Sequence, residues 1–277
     1  MSEVKDIGWL AKQEYLGRGI LIGRCDGGEF AAYFVTGRSP SSRARRFEVV
    51  SDGIRGMAIK TAPTDPETLR KGNPALLIYS AVLGVRDGLV VSNGLQTELL
   101  WGEAANALSH VFSPVRNLMG ALGGSYEVSG VDIASFEPDA PNFTPRISGI
   151  VNKGAGALAI SKKLPGGFDN PCQKQFFGFP LEDGIGKFIS TYTGRNVGKG
   201  EVLPSFEGEP LDFVVPGRSL RETAEFIYEA LGPKQGGQYV SPGDDFRVGV
   251  VVASRLDRGN IPYFMINRCD LDKKNGN

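Results

Sequence analysis

Four Asp-Gly pairs, at residues 26–27, 52–53, 87–88 and 183–184, stand between apolar runs. Such a pair tolerates the positive φ angles of a tight two-residue turn, so each is a strong short-range signal for paired strands. Glycine supports the same conclusion. At 38 of 277 residues it is roughly twice its usual share of about 7 %, and it is spread along the chain as turn and bulge positions require. A chain punctuated in this way is rich in strands.

The runs themselves place the elements. Strands are expected over 15–24 and 30–36, over 46–50 and 56–60, and over 76–83 and 89–92, each pair closed by one Asp-Gly turn. Later strands fall at 146–151, 155–161, 176–179, 186–192, 247–253 and 263–267. The spacing of Leu99, Leu100, Ala104, Ala107, Leu108 and Val111 predicts a helix over 96–112, with a second from Ser113-Pro114 to Leu122. A third helix is expected over 219–231, stopped by Gly232-Pro233. Residues 4–14 have weak helical spacing and read as a short helix or an arm. Residues 197–216 read as irregular, and the tail from 271 as frayed. Hairpins, then helices, then hairpins, then a helix do not alternate as βαβ units do. The order fits an α+β sandwich of mostly antiparallel sheets with helices on the outer layers, in one domain over 1–277.

Composition narrows the chemistry. Lys+Arg and Asp+Glu are 31 each, so no global field draws the chain to nucleic acid or an anionic membrane. His110 is the one histidine, which rules out a His-rich metal site. Cys25, Cys172 and Cys269 form no C-x-x-C pair and read as reduced thiols. The first residues carry no apolar signal core, and no apolar stretch approaches the ~20 residues of a membrane span. A cytoplasmic protein is expected. No P-loop and no G-x-G-x-x-G fingerprint is present. Ser2 would be an N-terminal nucleophile only if the first strand began there, and that strand begins near Tyr15.

Four segments carry candidate chemistry. Loop 36–43, Thr-Gly-Arg-Ser-Pro-Ser-Ser-Arg, places Arg38, Ser39 and Arg43 directly after an apolar strand. Guanidinium groups grip phosphate in a bidentate way and hydroxyls add donors, so the loop suits one phosphate monoester; a solvated polar loop is the alternative. Arg45 and Arg46 enlarge the positive patch. Asn73 and Tyr79 follow, the tyrosine serving either a site or the core. Asn93, Gly94 and Thr97 mark a strand-to-helix junction, able to cap the helix or to meet a ligand. Thr144 and Arg146 stand at the mouth of a strand.

These segments, in this order and with Tyr15-Leu-Gly-Arg18 ahead of them, resemble the archaeal-type IMP cyclohydrolase family. The resemblance covers residues 15–160 well and the rest loosely. It implies a four-layer αββα fold similar to N-terminal nucleophile hydrolases. It implies an enzyme that closes the purine ring of a formamidoimidazole carboxamide ribotide to IMP with loss of water, the last step of purine biosynthesis. It implies no cofactor and no metal, a small ribonucleotide as partner, and a homo-oligomer. Tyr79, Arg43 and Arg38 become the catalytic candidates. Arg18, Ser39, Asn73, Asn93, Gly94, Thr97, Thr144 and Arg146 become the substrate-binding ones. Residues before Tyr15 are an addition to the family pattern. The acidic segment ahead of Thr144-Pro-Arg146 reads Glu137-Pro-Asp-Ala-Pro-Asn142, which leaves Glu137 or Asp139 for an acidic role. The alternatives are a non-catalytic purine-nucleotide-binding protein on the same scaffold and an amidohydrolase of the N-terminal nucleophile type.

Overall fold

The computed structural model describes residues 3–26, 28–52, 56–86, 88–107, 113–164, 166, 172–254 and 261–274. The first hairpin, β1 (Arg18–Cys25) and β2 (Gly28–Thr36), forms the middle of a six-stranded sheet. β12 (Ile185–Ser190) and β13 (Leu211–Val214) extend it beside β1, while β14 (Arg247–Ser254) and β15 (Tyr263–Asn267) extend it beside β2. The second sheet runs in the order β11 (Cys172–Pro180), β10 (Ala155–Lys163), β9 (Arg146–Asn152), β6 (Gly88–Ser92), β5 (Ser80–Val85), β4 (Gly56–Pro63), β3 (Arg45–Asp52). Every neighbouring pair in both sheets is antiparallel. A small ribbon, β7 (Glu127–Val128) with β8 (Val131–Asp132), stands apart.

Three apolar layers hold this together. Between the sheets, Ile20, Ile22, Tyr33 and Val35 of the first meet Ile59, Leu89, Val91, Ile147 and Leu158 of the second. Their sequence neighbours point the other way. Leu21, Phe34 and Val252 pack under α1 (Ile7–Ala11) and α7 (Leu220–Ala230), whose buried Ala224, Ile227 and Tyr228 recur at helical spacing. On the far side, Leu83, Val90 and Ile150 pack under α5 (Gln96–Asn106) and α6 (Pro114–Leu122). The architecture is therefore an αββα sandwich. Strands covered on both faces lose their polar alternation, which is why the sequence shows them as continuous apolar runs. Each fully buried Leu or Ile in these layers contributes about 1.5–3 kcal/mol.

Three of the Asp-Gly pairs join consecutive neighbouring strands as expected, although part of each turn lies outside the described residues. The fourth behaves differently. Gly184, at φ 76°, carries the chain from β11 in one sheet to β12 in the other, and its N–H donates to the Arg24 carbonyl on β1 of the sheet it enters.

Other departures have local causes. The strand expected from residue 76 starts at Ser80, because Pro66–Arg70 (α3) is followed by a one-turn helix, α4 (Pro74–Leu77). Asn73 caps α4 through its side chain and Pro74 sits at its first position. The helix expected over 96–112 runs over Gln96–Asn106, after which Ala107 turns extended, and His110 lies outside the described residues. Within 197–216, expected to be irregular, β13 forms and pairs with β12. Pro40–Arg43 (α2) is one helical turn, and Arg268–Lys274 (α8) closes the described chain. Among the described residues no helix is long and apolar enough to cross a membrane.

Candidate functional site

β1 and β9 begin, and β2 and β12 end, at the same edge of the sandwich. The loops there enclose a cleft of about 640 Å³. Its floor is ionic. Arg18, at the first position of β1, and Glu137, in the loop before β9, are 7 % and 1 % exposed. One Arg18 guanidinium nitrogen lies 3.4 Å from each carboxylate oxygen of Glu137. These contacts are long, and buried atoms are left over: Arg18 Nε, Glu137 Oε1 and Arg146 Nε have no hydrogen-bond partner. Polar atoms in a protein interior are nearly always satisfied, so each such atom is unused bonding capacity.

The charges follow from burial. Desolvation pushes the Glu137 carboxyl above its ordinary range, and the attraction of Arg18 and Arg146 only partly offsets it. For Arg18 desolvation works against the cation, but Glu137 and the phenols of Tyr79, Tyr33 and Tyr192 outweigh it, so the guanidinium is held charged. Burial pushes Arg146 down, against the pull of Glu137. The floor thus combines a carboxyl whose protonated form burial favours with two cationic neighbours.

Beside it, Asp139 accepts from Thr144 twice, from the backbone N–H at 2.6 Å and from Oγ1 at 2.5 Å. Thr144 Oγ1 also lies 2.7 Å from the Tyr192 hydroxyl, and burial raises that phenol well above its ordinary value. Tyr192 stacks on Tyr15 with centroids 5.8 Å apart, and Phe246 meets Tyr15 edge-on at 5.6 Å. This aromatic wall leads up to Arg38, whose guanidinium carbon lies 5.2 Å from the centroid of the Tyr15 ring. Arg38 Nη1 donates to Asn196 Oδ1 at 2.9 Å and to the Val197 carbonyl at 3.2 Å. The side chain is therefore fixed at the rim with its remaining donors unclaimed. Ser39, Ser41 and Ser42 cluster next to it through their hydroxyls.

Of the residues expected to form a site, Arg18, Arg38, Ser39, Asn73 and Thr144 line this cleft. Tyr79 and Arg146 lie behind the floor. The Tyr79 hydroxyl is 2.7 Å from that of Tyr33, with Tyr33 wholly buried and Tyr79 3 % exposed. Arg146 Nη1 donates to Gln96 Oε1 at 3.1 Å. Asn93, Gly94 and Thr97 surround this support. Asn93 donates to the Pro145 carbonyl and accepts from Gln96 and from the Ile147 N–H, so its amide ties β6 to β9. Thr97 donates to the Gly94 carbonyl and its hydroxyl pairs with Ser92. A Cβ on Gly94 would collide with the Arg146 guanidinium. Arg43 lies elsewhere, on a separate hollow.

Tyr192, Asn196, Lys199, Tyr239 and Phe246 supply much of the lining without belonging to any of the four candidate segments. Asn196, Lys199, Tyr239 and Phe246 sit in irregular stretches without periodicity, and Tyr192 stands at the end of an expected strand. The signal available was glycine at 194, 198, 200, 236 and 237, dense enough to mark loops folded tightly over something.

The sequence model of a family described as IMP cyclohydrolase-like protein matches residues 15–235. The chain belongs to the IMP cyclohydrolase-like family. That match opens on Tyr15, the aromatic wall of the cleft, and takes in the whole ionic floor. It closes just beyond α7, so the cleft residues Tyr239, Asp244 and Phe246 of this IMP cyclohydrolase-like chain lie past its end. A search of the curated proteins finds no match.

Proposed function

We propose that the chain closes the purine ring of formamidoimidazole carboxamide ribotide, giving IMP and water, and that the cleft is where this happens. The observation that carries the reading is the closed Arg18–Glu137 floor with its unfilled bonding capacity, set beneath an aromatic wall and a rim of arginine and serine.

The reaction joins two arms of one molecule. The carboxamide nitrogen attacks the formyl carbon and a C–N bond forms. The formyl oxygen gathers negative charge, takes a proton, and leaves as water after a second protonation. The carboxamide nitrogen gives up one proton as it attacks and the formamido nitrogen gives up one as its C=N bond forms and the C–O bond breaks, while the oxygen takes two, so one group that alternates between base and acid suffices. Glu137 fits that role, since burial brings its carboxyl toward the working pH. Arg18 lies beside it to stabilise the developing oxyanion. The Tyr15–Tyr192 wall offers a face on which the flat imidazole can stack, holding the two arms in a near-attack rotamer. Arg38 and Ser39, with Asn73 nearby, take the phosphate at the rim. Arg146 and Tyr79 set the floor from behind. Arg43 has no part here.

Purified protein should consume the formylated ribotide with the rise in ultraviolet absorbance of the closed purine. Glu137→Gln should slow that rise at least about a hundredfold while retaining IMP binding. IMP binding by the wild type without any turnover would leave a nucleotide-binding protein and refute the enzyme.

A further inference from the structure

On the other side of the 37–45 segment lies a second hollow, of about 310 Å³, lined by Arg43, Arg45, Arg247 and Arg268 together with Thr64 and Asp272. Four guanidinium groups round one cavity are unexpected in a chain whose formal net charge is zero. Carboxylates neutralise only part of them. Asp245 holds Arg247 through two short bonds, Nε to Oδ1 at 3.0 Å and Nη2 to Oδ2 at 2.7 Å, and lies 3.6 Å from Arg268. Asp272 lies 3.6 Å from Arg268 on its other side. Among the described residues, Arg43 has neither a hydrogen bond nor an ion pair from its guanidinium. Arg45 makes no ion pair: its Nε and Nη1 donate to the carbonyls of Ser42 and Leu77, and the carboxylate it attracts is Glu137, on the cleft side. Yet Arg45 is only 2 % exposed.

A buried cation without a short ion pair keeps part of its desolvation cost, which an anion in the hollow would relieve. Four guanidinium groups against Asp245 and Asp272 leave a surplus of two positive charges round the hollow, with Arg43 free of any partner among the described residues, which matches a dianionic phosphate in charge. Planar guanidinium forks match it in geometry as well. The volume exceeds what a bare ion needs and falls at the small end of pockets that hold organic ligands. Cys269 also borders the hollow, and burial pushes its thiol up, so it adds no negative charge at neutral pH.

We propose that this hollow is a second anion site, separate from the catalytic cleft, which takes the phosphate group of a small phosphorylated metabolite. Arg247, Arg268 and Asp272 lie beyond the family match, which ends at 235, so the site is built largely by the part of the chain outside it. Arg45 borders both cavities, so it forms the wall between them. The proposal does not depend on ring closure in the cleft.

Calorimetric titration of the full chain with inorganic phosphate, and separately with ribose 5-phosphate, tests it. Arg43→Ala and Arg268→Gln should each weaken one binding event at least tenfold, and Arg38→Ala, which alters the cleft, should leave that event intact. Arg43 is exposed and unpartnered, so its variant should unfold at the wild-type temperature, and that measurement accompanies the titration. Tighter binding of ribose 5-phosphate would identify a sugar phosphate as occupant; equal binding would identify free phosphate; both support the site. Unchanged affinity in Arg43→Ala and Arg268→Gln, or a crystal in which ribose 5-phosphate occupies the cleft alone, would overturn it. No turnover is read in this experiment, so its outcome stands apart from that of the cyclohydrolase assay.

Discussion

Tyr33 and Tyr79 meet hydroxyl to hydroxyl at 2.7 Å in the layer between the two sheets, both buried. Replacing Tyr79 by Phe removes one oxygen and leaves the Tyr33 hydroxyl buried without that partner. An orphaned buried hydroxyl costs ~1–3 kcal/mol. For a chain of this size each kcal/mol corresponds to about 2 °C in Tm, so Tm should fall by ~2–6 °C. Tyr33→Phe should cost a similar amount for the mirror-image reason. The double variant should cost less than the sum, by ~1–2 kcal/mol, because two apolar rings of unchanged shape leave nothing unsatisfied. Thermal and urea unfolding of the four proteins measures the cycle. Kinetics supplies a second readout. Tyr79 lies within electrostatic range of both Arg18 and Arg146, so Tyr79→Phe should lower kcat by about tenfold, or ~1.4 kcal/mol, with KM little changed. Strict additivity of the two stability losses would refute the pairing argument. Normal turnover in Tyr79→Phe would refute any part for the phenol in ring closure.

Glu137→Gln should cut kcat by ~10²–10⁴-fold, the usual worth of a positioned acid–base group, read from the absorbance assay. Its stability has a definite sign: the folded carboxyl is raised above the ordinary 4.5, so the folded state binds the proton more tightly than the unfolded one. Wild-type stability relative to Glu137→Gln should therefore decline as pH rises from 4.5 through the raised value, and a difference that grows with pH would contradict this. Gly94→Ala should displace the Arg146 guanidinium and lower kcat/KM by at least tenfold, with a circular dichroism spectrum like that of the wild type. Arg38→Ala should raise KM by a factor of ten or more, equivalent to the ~1.5–3 kcal/mol of a charge-assisted bond, while kcat stays close to the wild type. Asp139→Ala removes both acceptors of Thr144, and should lower Tm and quicken proteolysis within the 137–144 loop.

Strand pairing was legible in the sequence because Asp-Gly turns act locally and the hairpins they close are neighbours. The fourth pair shows the limit. A turn that joins two sheets and a turn that joins two strands have the same residues, and only the packing of β11 and β12 on different layers separates them. Asn73 and Pro74 were visible as a pair, but their capping of α4 hides in a run of apolar residues that also suits a strand. Arg18, Arg38, Thr144 and Arg146 stood out because a polar residue at the end of an apolar strand is conspicuous. Arg43 and Arg38 looked equivalent, five residues apart on one loop. One turn of α2 between them sends their side chains to opposite sides of the segment. Glu137 was visible only as a carboxylate in a proline-rich stretch, since its burial depends on Arg18, 119 residues away.

The placement of β14 bears on how the molecule is made. Its residues pair with β2 at the heart of the six-stranded sheet, Val251 opposite Tyr33. During synthesis the edge of β2 therefore stays open until β14 has left the ribosome, and such long-range closures are slow and exposed to misassembly. A product cut short after residue 235 would keep every residue of the family match and still present a bare apolar strand edge to its neighbours, which is a template for aggregation.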